Sequence, residues 1–283
     1  APAVGVPAQE AARLALAALA QDYWEPAMRP DPLQATFIGH PRYHDRLDDP
    51  SPDGRLQAAQ ELAALRERLR AVRRDELTSS DRLSWDILKL LIERRLEWFE
   101  HRFYQWDVDH MDGPQSWIPS VVETAQPMKT EADAQALLAR MAAIPARFRW
   151  HMLNLREGMA EGRTAARIAV EKTARQLEGL LATGPKDTPF AAAARKLPAG
   201  LRAAWAPKVE AAVDEQVYKA YREYLDFLRE VYLPGARPDS TPGLVHLPGG
   251  EAAYAFSVRY HTTLARSPQE LHAIGLNQMQ RII

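Results

Sequence analysis

The stretch PKVEAAVDEQVYKAYREYLDFLREVY, residues 207–232, decides the fold. Val209, Val213, Val217, Ala220, Tyr224, Phe227 or Leu228, and Val231 recur at intervals of three and four, the spacing that puts apolar side chains on one helical face. Only Pro207, at its start, departs from good helix chemistry. The spacing predicts a long core helix.

The same pattern recurs upstream. Pro7 to about Tyr23 reads as an Ala-rich helix with Leu14, Leu16 and Leu19 near its middle, broken by Pro26, Pro30 and Pro32. Residues 31–52 carry Gly39, Pro41 and Pro50 among several aspartates, the composition of a loop with one helical turn around Ala35. Ser51-Pro52-Asp53 is a helix start, and Leu62, Leu65, Leu69 and Val72 follow at three and four. Thr78 to Asp81 caps the next helix, whose predicted buried stripe is Leu83, Ile87, Leu91 and Trp98. After Gly113-Pro114 comes a short helix with Trp117, Ile118, Val121 and Val122. Thr130 to Asp133 caps another, which Pro145 is expected to kink or close, followed by segments at 146–159 and about 164–181. Helical pieces joined by short turns predict an all-α, mostly antiparallel array of many helices.

Downstream of the opening stretch, residues 233–250 crowd eight prolines and glycines together, leaving room for one brief extended segment at Leu244 to Leu247. This is the candidate functional loop or joint, dividing a helical region 1–236 from a second region 237–283. Ala252 to Thr263 fits either a strand or a helix, and the helix is favoured. Ser267-Pro268-Gln269-Glu270 is a capping box, and Leu271, Ile274, Met279 and Ile282 form its apolar stripe. The last two residues, Ile282-Ile283, bring no polar fringe, so the array is expected to be incomplete at this end, truncated from a larger protein.

Composition narrows the function. With 36 Lys+Arg against 37 Asp+Glu, the net charge of -1 gives no whole-molecule attraction for nucleic acid, which is not expected as a partner. Zero cysteines remove thiol nucleophiles and thiolate metal sites. No apolar run approaches the roughly 20 residues of a membrane-spanning helix. The start at Ala1-Pro2-Ala3, without an initiator Met, favours a periplasmic or secreted protein over a cytoplasmic one.

Catalytic signatures are sparse. No His-Glu pair exists, so the His-Glu-x-x-His pattern of helical zinc hydrolases is missing, and His40 and His44, though four apart, straddle Pro41. Asp107, Asp109, Asp112 and Gly113 loosely follow a calcium loop with the third acid one position late; they read as polar residues ending a helix. The arginines from Arg66 to Arg74 alternate with acids and read as a solvated helix face. The tryptophans at 85, 98, 106, 117, 150 and 205 lie within or beside helices and read as packing. One cluster offers more: Pro248-Gly249-Gly250 with Tyr254, Tyr260 and His261-Thr262-Thr263 joins permissive backbone, a phenol, an imidazole and hydroxyls just after the joint. It can be a binding element or a structural turn.

Two blocks carry a family likeness. Asp31-Pro-Leu-Gln-Ala-Thr-Phe-Ile-Gly39 with Arg42-Tyr43-His44-Asp45-Arg46-Leu47 and Asp49-Pro-Ser-Pro52 forms one. Leu247-Pro-Gly-Gly250 through His261-Thr-Thr263, with Ser267 to Leu276, forms the other. Together they resemble the bacterial domain-of-unknown-function 885 family across nearly the whole chain. The resemblance implies an all-helical, zincin-like peptidase fold, zinc dependence, a peptide substrate, and a His-Glu-x-x-Pro-Gly-His motif on a later helix not contained in this sequence. It implies the N-terminal portion of such a peptidase, supplying scaffold and one wall of the substrate cleft, with no catalytic or metal-ligating residue of its own. The missing C-terminal half would bring the zinc. Gly249, Gly250, Tyr254 and His261 are then the substrate-binding candidates, with a phenol or imidazole placed to stabilise an oxyanion. The competing reading is a self-contained, metal-free helical binding or scaffold protein.

Overall fold

The computed structural model describes residues 7–282, and among these every regular element is helical. In chain order they are α1 (Ala8–Met28), α2 (Pro32–Phe37), α3 (Pro52–Ala71), α4 (Ser79–His101), α5 (Pro114–Ala125), α6 (Glu131–Ala160), α7 (Arg167–Ala182), α8 (Pro189–Arg195), α9 (Ala199–Ala212), α10 (Lys219–Asp226), α11 (Gly250–Thr262) and α12 (Pro268–Ile282). The caps expected from sequence form. Ser51 Oγ accepts from Gly54 N at 3.1 Å, and Thr130 closes a reciprocal box with Asp133. In the Ser267 box, Glu270 N donates to Ser267 Oγ at 3.1 Å while Ser267 N donates to Glu270 Oε2 at 2.7 Å.

Prolines break fewer helices than their chemistry suggests. α1 runs past Pro26 to Met28, and α6, 30 residues long, runs through Pro145 to Ala160. A proline removes one backbone hydrogen bond, at about 3 kcal/mol. In α6 that loss is offset by a face on which Leu137, Met141, Ile144, Phe148 and Leu155 are all fully buried.

The opening stretch lies within one helical run from Ala199 to Tyr232. Two π-helical stretches, Val213–Tyr218 and Phe227–Tyr232, flank α10. Val209, Val213, Val217, Ala220, Tyr224 and Leu228 are buried as their spacing predicts. The second π stretch shifts the register, so that Tyr232 takes the buried place expected of Val231.

Two cores result. The larger joins α5 to α10, and the smaller packs Leu16 and Leu19 of α1 against Leu62, Leu65 and Leu69 of α3 and Leu88 and Ile92 of α4. The α4 stripe corrects the sequence expectation: Leu83, Ile87 and Leu91 are 62, 49 and 41 % exposed, while Ile92 is fully buried. α4 carries two apolar stripes, and α1 and α3 cover the other one.

The Pro/Gly-rich stretch 233–250 holds 3-10 turns at Leu233–Gly235 and Leu244–His246, the latter where an extended segment was expected. A parallel bridge pins it to the start of α7: Arg237 N donates to Ala165 O at 2.9 Å and Arg167 N to Arg237 O at 2.7 Å.

Candidate functional site

The inner face of α6 carries a polar ladder at seven-residue intervals, Arg140, Arg147 and Asn154, and each rung fastens the loop between α2 and α3. Arg140 is fully buried without a carboxylate partner. Its Nε donates to Arg46 O at 3.1 Å, Nη1 to Gln126 Oε1 at 2.6 Å, and Nη2 to Thr36 Oγ1 and Tyr43 O, both at 2.7 Å. Burial brings its pKa down to about 10, so it remains charged at neutral pH. Arg147 Nε donates to Asp48 Oδ1 at 3.1 Å, and Asn154 Nδ2 donates to Pro50 O at 2.9 Å. Arg55 completes the fastening, with Nη1 donating to Asn154 Oδ1 at 2.7 Å.

Fixing this loop opens a polar cavity of about 400 Å³ between it, α4, α5 and α6. Its charged groups are Asp31, Asp48, Asp107, Asp112, Arg95 and Arg147, and its apolar walls include Trp98, Trp117, Leu33 and Ile118. Asp107 lines this cavity with 48 % of its side-chain surface open to solvent. Desolvation by the neighbouring protein, opposed by Arg147 and reinforced by Asp48, lifts the carboxyl to about 6. Burial also raises Asp31, against the lowering effect of the Gln34 backbone N–H that its side chain caps. For Arg147 burial alone would lower the pKa, but Asp48 and Asp107 outweigh it and hold the guanidinium above its ordinary value. Its Nη1 is buried and has no hydrogen-bond partner among the described residues.

Behind Asp107 lies the interior. His151 Nδ1 is 3.9 Å from Asp107 Oδ2, beyond hydrogen-bond reach, and His151 Nε2 is 3.2 Å from the Tyr224 hydroxyl. Burial, then Arg147, pushes the imidazole well below its ordinary pKa, so it is neutral. Burial, then Asp107, pushes the phenol well above its own. At neutral pH Asp107 is thus the group of this trio able to take or give a proton.

The residues singled out from sequence lie elsewhere. Gly249 has φ +70° at the N-cap of α11, a conformation glycine adopts freely. Gly250 abuts the Leu244 carbonyl so closely that a Cβ would overlap it. Both border an open groove with Val245, Glu251, Ala252 and Ala255. Tyr254 is 48 % exposed and His261 is exposed, both on the outer face of α11. The inner face of α11 docks on α4: Trp98 lies 5.3 Å from the Tyr260 ring and 6.2 Å from the Phe256 ring, and Arg94 Nη2 donates to Arg259 O at 2.6 Å. Trp98 therefore separates the polar cavity from α11 and touches both.

His40 stacks on Tyr43 at 5.9 Å, while His44 Nδ1 is 3.1 Å from Thr36 Oγ1. Asp109 caps its own turn, accepting from Met111 N at 2.5 Å. Among the described residues no group of three or more His, Asp or Glu is arranged to hold a metal ion. Asp31, Asp48 and Arg147 of the cavity were not read from sequence as site residues, and Asp107 and Asp112 were read only as polar residues ending a helix. The seven-residue spacing of Arg140, Arg147 and Asn154 was the available signal, because three polar residues on the buried face of one helix require partners from elsewhere in the chain.

No curated protein matches this chain. A solved structure, of a "putative lipoprotein" from Colwellia psychrerythraea, shares the fold with a TM-score of 0.81 at 17 % identity, over 98 % of this chain and 50 % of that one. The chain thus spans half the length of that protein. The family model described as bacterial protein of unknown function (DUF885) matches residues 32–283, from the start of α2 through α12, and includes the loop, ladder and cavity described above. By that match, the chain belongs to the DUF885 family of bacterial proteins.

Proposed function

We propose that this chain is the N-terminal portion of a zinc-dependent metallopeptidase, supplying scaffold and one wall of the cleft in which a peptide is hydrolysed. The observation that carries the reading is α12. It contains no buried residue, and Ile274, Met279 and Ile282 of its apolar stripe are 44, 59 and 85 % exposed, a surface that calls for a covering partner. The family match and a fold that fills half of a longer solved protein support a further half of the same protein as that partner.

The described residues do not offer a zinc ligand set, and in this reading the zinc ligands come from the partner half. Gly249, Gly250, Tyr254 and His261 are proposed to face the substrate from the outer side of α11, where Tyr254 and His261 are accessible. A periplasmic or secreted setting fits this reading, and a neighbour described as a lipoprotein supports it.

The test compares the protein encoded by the complete gene with the 283-residue chain. Zinc content and hydrolysis of a mixed peptide library are measured on both. Stoichiometric zinc and cleavage are expected from the longer protein alone; a longer protein that binds no zinc and cleaves nothing refutes the proposal. Within that protein, Tyr254→Phe with His261→Ala is expected to lower cleavage at least about tenfold, and full activity would remove these residues from the cleft.

A second reading, a metal-free binding protein, is favoured by the polar cavity. Its mixed charges and aromatic walls lie within this chain and need no partner.

A further inference from the structure

The cavity beside Asp107 sits apart from the outer face of α11 and plays no part in the peptidase reading. Its volume of about 400 Å³ is that of a small-molecule site, or of roughly a dozen waters at about 30 Å³ each. Its chemistry is two-sided. The Asp48 carboxylate is already paired with Arg147 Nε, which leaves Asp31, Asp107 and Asp112 facing Arg95 and calls for a cation. Arg147, its side chain 13 % exposed, lies on the same wall, where its guanidinium and that of Arg95 call for an acceptor. Trp98, Trp117, Leu33 and Ile118 supply apolar surface between the two.

A simple cation leaves the guanidiniums of Arg95 and Arg147 without an acceptor from the ligand, and a simple anion meets three carboxylates. Both needs are met by one molecule carrying an ammonium and a carboxylate. The need for both charges is set by side chains held in place from different elements: Arg147 by the α6 ladder, Asp31 as the cap of α2, and Trp98 by its contacts with α11. This pre-organisation limits the ordering cost of binding.

We propose that the cavity is a binding site for a small zwitterion, a free α-amino acid with an apolar side chain. The guanidiniums of Arg147 and Arg95 receive its carboxylate, Asp107, Asp31 and Asp112 receive its ammonium, and its side chain lies against Trp98 and Trp117.

Isothermal titration of the 283-residue chain at pH 7.5 with L-phenylalanine tests this, alongside phenethylamine, which lacks the carboxylate, and 3-phenylpropanoate, which lacks the ammonium. The amino acid is expected to bind, and each analogue to bind at least about tenfold more weakly. Asp107→Asn and Arg147→Lys are each expected to weaken binding about tenfold or more, with circular dichroism unchanged. Should Arg147→Lys disturb folding, Asp112→Asn at the exposed rim stands in for it, with an expected loss of at least about threefold. The proposal is overturned by no heat with phenylalanine, by equal binding of phenethylamine, or by unchanged affinity in both Asp variants. None of these results bears on zinc or peptide cleavage in the longer protein.

Discussion

Two stretches of this chain are alike in composition and opposite in how they are held. Residues 38–51 and 233–250 are both rich in proline, glycine and polar residues. The first is fastened by side chains that arrive from α6, roughly a hundred positions away in sequence. The second is fastened by backbone, through the bridge at Ala166 and Arg237 and the close approach of Gly250 to Leu244. A helix-breaking composition therefore does not make a flexible segment. A side-chain clamp concentrates its stability in a few distant residues, whereas a backbone clamp depends on local geometry and tolerates most side-chain changes.

Arg140→Met is the most severe way to break that contrast. It leaves Thr36, Gln126 and two carbonyls buried without their donor, at an expected cost of about 3–5 kcal/mol in urea unfolding. A loss under about 1 kcal/mol would show that the loop holds itself. Gly250→Ala forces the Leu244 turn to move, and about 2 kcal/mol is expected, with increased hydrogen exchange confined to the 233–250 stretch. Asn154→Ala removes one rung of the ladder, for about 1 kcal/mol, and is expected to expose amides near Pro50.

Asp107→Asn has a smaller effect that depends on pH. The folded-state pKa, about 6, lies above its ordinary 3.8, so the folded protein binds this proton more tightly than the unfolded chain. The ionised group thus destabilises the protein fully above pH 6, and the penalty fades as pH falls toward 4. With 48 % of the side chain exposed, solvent screening holds the effect to about 1 kcal/mol or less. Asn at this position is expected to raise stability at pH 8 and not at pH 4, read from urea midpoints at both. Ile87→Ala, on the uncovered stripe of α4, should change stability by less than about 0.5 kcal/mol and serves as the reference for a residue that clamps nothing.

Much of this was legible in advance for a local reason. A capping box, a proline at a first helical turn and a three-four apolar repeat act within a few residues, so Ser51, Thr130, Ser267 and the 207–232 face as far as Leu228 folded as read. The α4 stripe did not. Leu83, Ile87 and Leu91 fit the period as well as Leu88 and Ile92 do, and the choice belongs to α1 and α3. The candidate site was the least legible part, since Asp31, Asp48, Asp107 and Arg147 are far apart in sequence and none forms a short motif.

The sequence by itself determined the helical class, most helix starts and the family, because these are set by hydrogen bonds and side-chain periods spanning one or two turns. Tertiary structure alone decided which face of α4 is buried, that α6 runs through Pro145, and that an arginine ladder on α6 shapes a charged cavity. Those outcomes depend on which surfaces meet: burial of a whole helix face offsets a lost backbone bond, and a buried guanidinium is stable only where distant carbonyls and amides converge on it.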